Sequence, residues 1–131
     1  MSRIGTYLAI AFTLFALDMA WLLWIARDWY QQGLGHLMAT RPNLAAAALF
    51  YLMFPLGLLI FAVSPAQDTS VARAALMGAL FGFFAYATYD LTNMAIMKDW
   101  PLGLSVLDVA WGTFAGAVAS AAGAAAARAL N

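Results

Sequence analysis

The 131-residue chain contains no cysteine and a single histidine. Without thiols there is no disulfide, no thiolate nucleophile and no cysteine-ligated zinc or iron–sulfur cluster, and one imidazole excludes a bis-histidine haem within one chain. Charge is scarce as well: 9% of the residues are charged, against about 25% in a soluble domain. Six Lys and Arg balance six Asp to a net charge of zero, so there is no basic field to hold nucleic acid and no acidic tail. Nucleic-acid partners are thereby excluded. What the chain has instead is apolar surface, 66% of its residues with a mean hydropathy of +0.84. This is the composition of a membrane protein, and the few charges become informative through where they lie.

A spanning helix needs about 20 mainly apolar residues, and four windows satisfy this: residues 4–25, 44–63, 71–97 and 102–127. The breaks between them carry turn and terminus signals, with Arg27-Asp28 and Arg41-Pro42-Asn43 around the first loop, Ser64-Pro65-Ala66-Gln67-Asp68 in the second and Lys98-Asp99-Trp100-Pro101 in the third. Long runs rich in Ala, Leu, Phe and Met read as helices, where barrel strands would alternate over about ten residues. The expected fold is all-α, an integral membrane antiparallel four-helix bundle, with residues 1–131 as a single transmembrane domain. Asp18 interrupts the first apolar run and no small-x-small cleavage site follows, so that run is expected to be a span and not a signal peptide. The first loop holds Tyr30, Leu34, Leu37 and Met38 at i, i+4, i+7 and i+8 beside Trp29, the pattern of a short helix lying on the membrane surface.

With four spans, Arg3, Arg73 and Arg128 fall on the face of the termini and Arg27, Arg41 and Lys98 on the other. The count of basic residues that sets orientation is tied. Asp28 and Asp99 adjoin Arg27 and Lys98, and the terminal amine adds a charge beside Arg3, which favours cytoplasmic termini.

Three of the six Asp residues lie inside spans, where a carboxylate costs about 2.5–3.5 kcal/mol to insert. Asp18 precedes the end of the first helix, Asp90 precedes the end of the third, and Asp108 follows the start of the fourth, so at 1.5 Å per residue all three sit about 9–12 Å below the face opposite the termini. Each has polar or aromatic company at helical spacing: Trp21 after Asp18, Tyr86, Thr92 and Asn93 around Asp90, and Trp111 with Gly112 after Asp108. The segments Leu17-Asp18-Met19-Ala20-Trp21 and Leu107-Asp108-Val109-Ala110-Trp111 nearly repeat one another. Because the two helices are antiparallel, this reads as one local problem solved twice and not as a tandem duplication. Polar contacts that merely join helices need one or two such residues. Three acids at one depth, with no basic residue inside the spans, cannot all ionise together, and a shared proton is a catalytic or transport resource. Asp90, with Tyr86 and Asn93 on its helix face, is the expected proton donor.

Gly78-x-x-x-Gly82 in the third helix and Gly112-x-x-x-Gly116 with Ser120 in the fourth are small-residue stripes suited to close helix packing. Pro55 followed by Gly57 predicts a kink in the second span. His36 reads as a solvated loop residue, and a Ser105/His36 nucleophile has no supporting motif.

Taken together, Leu17-Asp18-x-x-Trp21, Trp29-Tyr30, Arg41-Pro42-Asn43, Phe50-Tyr51, the long Gly78 to Asn93 stretch, Trp100-Pro101 and Asp108-x-x-Trp111-Gly112 resemble a bacterial family of predicted four-helix membrane proteins catalogued as a domain of unknown function. The resemblance spans nearly the whole chain. It implies an integral protein of the bacterial inner membrane with a lipid connection, and it supplies no established activity.

Three functions are compatible with these residues. The first is a membrane-embedded enzyme or binding protein for a lipidic molecule, in which Asp18, Asp90 and Asp108 exchange protons, Asn93 and Tyr86 or Tyr89 orient a polar head, and Trp21 and Trp111 wall the cavity. This chemistry needs no cofactor, and no metal is expected, because carboxylates without water or His make a poor divalent site. The second is a small proton-coupled transporter working as a homodimer, since four helices enclose little space and glycine stripes favour association. The third is an accessory subunit of a membrane enzyme. Membrane lipids are the surroundings in every case.

Overall fold

The computed structural model describes residues 2–66 and 70–130; Gln67, Asp68 and Thr69 of the second loop lie outside the described residues. Among the described residues all regular structure is helical, without strands. Helix α1 (Ser2–Ala20) continues into a π-helical turn (Trp21–Ile25), and α2 (Arg27–Leu34) follows with a 3₁₀ turn over Gly35–Leu37. Helix α3 (Leu44–Leu58) likewise ends in a π-helical turn (Leu59–Val63), before α4 (Val71–Ile96) and α5 (Leu102–Leu130). Four segments are long and apolar enough to cross a membrane, Arg3–Ile25, Leu44–Val63, Val71–Ile96 and Leu102–Leu130, within a few residues of those read from the sequence.

Local chemistry sets the boundaries. Asn43 accepts a hydrogen bond from the Ala46 amide at 3.1 Å, and Ser70 accepts one from the Arg73 amide at 2.9 Å; each side chain takes up an N–H that has no partner in the first helical turn. Pro55 lies inside α3 and cannot donate to the turn before it. In that turn the Leu52 carbonyl accepts the Tyr7 hydroxyl at 2.8 Å, which ties α3 to α1. The reversal between α4 and α5 places Asp99 at φ 59°, a left-handed conformation that Asp tolerates better than most residues.

Helix α5 is the central element, because its small residues admit two neighbours. A Cβ on Gly82 would overlap the Gly112 carbonyl, one on Gly78 would overlap the Gly116 carbonyl and Ser120, and one on Gly112 would enter the Tyr86 ring. The partners descend α5 as they climb α4, so the two helices run in opposite directions with backbones in contact. Both stripes thus face each other within one chain. Against α1 the same helix uses Gly123, whose Cβ would meet Ile10. Ile10, Leu14, Leu58, Val63, Ala74 and Ala119 fill the end of the molecule that carries the termini. Large apolar side chains such as Phe12, Trp24 and Ile96 point outward and are exposed, as a lipid-facing surface requires. The opposite end is not filled by apolar side chains. There the helices spread around a cavity.

Candidate functional site

The cavity has a volume of about 630 Å³ and is lined by residues of α1, α2, α3, α4 and α5 and of the α4–α5 turn, a size typical of small-molecule sites. Its walls are Trp, Tyr, Phe, Leu and Ala, and its ionisable carboxyls are Asp18, Asp90 and Asp108; no Lys, Arg or His lines it among the described residues. The three acids are 4%, 3% and 9% exposed respectively, and they are held in different ways.

Asp18 is fully partnered. The Trp111 indole donates to its Oδ1 at 2.9 Å and the Tyr51 hydroxyl donates to its Oδ2 at 2.9 Å. These donors come from α5 and α3, so this carboxyl joins three helices. Trp21, one turn beyond Asp18, does not serve it. That indole stacks on Trp111 with centroids 4.4 Å apart and an angle of 4°, and donates to the Tyr30 hydroxyl at 3.3 Å. The near-repeated Asp-x-x-Trp segments therefore meet where α1 and α5 cross, their indoles face to face. The π-helical turn from Trp21 to Ile25 coincides with this crossing, where its longer i+5 bond from the Ala26 amide to the Trp21 carbonyl spans 2.7 Å, and such turns are frequent at functional sites.

Asp108 accepts the Tyr30 hydroxyl on Oδ1 at 2.5 Å. Tyr30 belongs to α2, outside the spans. Burial, reinforced by its bond to Asp108, pushes its hydroxyl far above the ordinary phenol range, so it remains a donor. Asp90 lies beside Asp108. The Trp100 indole approaches Asp90 without closing a well-formed bond: Oδ2 of Asp90 and Nε1 of Trp100 are buried and have no partner among the described residues. An orphaned buried polar atom is rare and calls for an explanation.

The structure thus brings Asp18, Asp90, Asp108, Trp21, Trp111, Tyr86 and Tyr89 to one cavity. Asn93 is not part of its lining; its carbonyl accepts the Met97 amide at the end of α4. Asp18 forms one hydrogen-bonded group with Tyr51 and Trp111 and Asp108 another with Tyr30 and Trp21, the Trp21–Trp111 stack joins the two, and Asp90 lies beside Asp108. Sequence reasoning missed Tyr30, Tyr51 and Trp100. The signal for Tyr30 was present in its spacing with Leu34, but that face turns into the cavity, whereas Leu37 and Met38 beyond Gly35 stay exposed. A Cβ on Gly33 would crowd Leu104 and Pro101 at 2.9 and 3.2 Å: α2 rests on the start of α5 and caps the cavity. His36 lies 3.9 Å from Asp99 at the surface, and Ser105 donates to the Pro101 carbonyl at 2.8 Å, so neither forms a nucleophile pair.

Neither a curated protein nor a solved structure matches the chain. One family model, described as a predicted membrane protein (DUF2177), matches residues 3–125, a stretch that includes all four candidate spans up to the last turns of α5 and every carboxyl of the cavity. The chain belongs to the DUF2177 family of predicted membrane proteins.

Proposed function

We propose that the chain binds a lipidic small molecule in the cavity between its helices and that Asp90 and Asp108 act on it by acid–base chemistry. The observation that carries this reading is Oδ2 of Asp90, a buried acceptor with no partner in an otherwise apolar and aromatic cavity. A purely structural acid is surrounded by donors, as Asp18 is. Asp90 keeps one oxygen free beside Asp108, an arrangement in which a proton passes from the carboxyl pair to a ligand atom and back. Tyr30 positions Asp108 through its 2.5 Å bond, while Asp18, Tyr51 and Trp111 brace the wall. In the lipid-facing shell, Leu22 and Leu34 give an acyl or isoprenoid chain apolar surface. The protein is assigned to the bacterial inner membrane with both termini in the cytoplasm, which sets the cavity toward the periplasmic leaflet; a C-terminal alkaline phosphatase fusion is then inactive, and an active one reverses the assignment.

The test is extraction and mass spectrometry of protein purified in a mild maltoside, together with the membrane-lipid profile of cells carrying wild type, Asp90→Asn or a deletion. A stoichiometric hydrophobic molecule in the wild type, with a lipid profile altered alike by Asp90→Asn and by the deletion, is the expected result. A lipid profile identical across all three strains overturns acid–base action on a lipid and leaves a proton-coupled transporter or an accessory subunit, in which the same carboxyl pair handles a proton.

A further inference from the structure

We infer that the polar end of the occupant is a protonated amine, seated with its N–H on Oδ2 of Asp90 and its charge among the aromatic rings of the cavity. The inference rests on the reading of the cavity as a binding site and specifies what that site selects. Its first support is sign: three acids and no base line the cavity, so an anionic headgroup would be buried among carboxyls with no counter-charge.

The second is the direction of the hydrogen bonds. Tyr51 and Trp111 donate to Asp18, Trp21 donates to Tyr30, and Tyr30 donates to Asp108. These N–H and O–H groups are taken by the protein itself. Among the carboxyl oxygens of the cavity, Oδ2 of Asp90, on a residue 3% exposed, is buried without a partner. The donors left over, the Trp100 indole beside Asp90 and the Tyr86 and Tyr89 hydroxyls of the lining, are neutral; they cannot hold an anion against three acids. A ligand that completes the Asp90 carboxyl brings a donor. The third support is the wall, where Trp100 sits edge-on to Tyr89 at 5.8 Å and the stacked Trp21–Trp111 pair stands nearby. Aromatic rings attract ammonium groups, most strongly when water is excluded, and they favour an organic cation over a metal ion, which needs several oxygens at short range.

The experiment compares three probes of equal chain length, dodecylamine, dodecanol and dodecanoate, titrated at neutral pH into the full chain in maltoside micelles and read by saturable change in tryptophan fluorescence. The expected order is dodecylammonium at least ten-fold tighter than dodecanol, with dodecanoate weakest. Asp90→Asn is expected to bring the amine to the level of the alcohol without moving the thermal midpoint, and Asp28→Asn, an acid exposed on α2, to leave the order unchanged. The ranking on the wild type stands even if a variant fails to fold. Equal or tighter binding of dodecanol or dodecanoate overturns the amine inference while keeping the cavity as an amphiphile site. Absence of saturable binding by any probe overturns both.

Discussion

Asp18 and Asp90 are both buried carboxyls in one cavity, yet their replacement should have opposite consequences, because one is saturated with donors and the other is not. Asp18→Ala strands the Trp111 indole N–H and the Tyr51 hydroxyl. Leaving a buried donor unpaired costs about 1–3 kcal/mol in soluble proteins, whereas hydrogen bonds between membrane helices average about 0.6 and reach about 1.7 kcal/mol. Two such bonds therefore put the loss at about 1–3 kcal/mol. Asp18→Asn retains most of this, since the amide oxygen accepts from Trp111 and the Tyr51 hydroxyl rotates to accept from the amide nitrogen; a cost of about 0.5–1 kcal/mol is expected. Asp90→Asn removes no hydrogen bond at Oδ2, where there is none. Its amide donates to Asp108 without needing a proton between two acids, so stability should remain within about 0.5 kcal/mol of wild type or rise. The assay is reversible unfolding in mixed detergent micelles, followed by circular dichroism and tryptophan fluorescence. An Asp90→Asn protein destabilised as much as Asp18→Ala would refute the division of roles, and so would an Asp18→Ala protein as stable as wild type.

Two further outcomes follow from other parts of the molecule. Gly82→Ala places a methyl group on the Gly112 carbonyl and should cost about 1–3 kcal/mol as α4 and α5 separate, while Gly103→Ala, with open space around its Cβ, should be neutral or stabilising by up to about 1 kcal/mol; equal thermal midpoints for the two would show that the helices are not in backbone contact. The Tyr30 hydroxyl is raised by burial and by its bond to Asp108, so it holds its proton in the folded state where an unfolded tyrosine, with a pKa of about 10, loses it. Its stabilisation is complete below about pH 10 and is lost as pH rises beyond that; a pH series of unfolding measurements should show this loss and a shallower one in Tyr30→Phe, and a decline identical in the two proteins would sink it.

The spans, the all-helical class and the depth shared by the three acids follow from the sequence, because apolar length and helical rise are local properties that add along the chain. Asp18, Asp90 and Asp108 are placed within a turn or two by counting. The glycine stripes were also legible as packing surfaces, since only small residues let backbones approach. Their partner was not: whether Gly82 meets Gly112 of its own chain or a second copy depends on which helix lies beside α4. The same limit applied to the polar contacts. Helical spacing pairs Asp18 with Trp21, but the rotation of α1 against α5 hands Asp18 to Trp111 and Tyr51 and turns Trp21 toward Tyr30. Asn93, well spaced from Asp90 on paper, remains outside the cavity lining, because the lining is set by where neighbouring helices spread apart. Tyr30 and Trp100 reach the carboxyls from a loop helix and a turn whose positions are decided by Gly33 resting on Leu104 and by the left-handed Asp99. Sequence periodicity reports the face of a helix; which face another element covers, and hence which oxygen of Asp90 is left without a donor, is decided by the packing of all five helices at once.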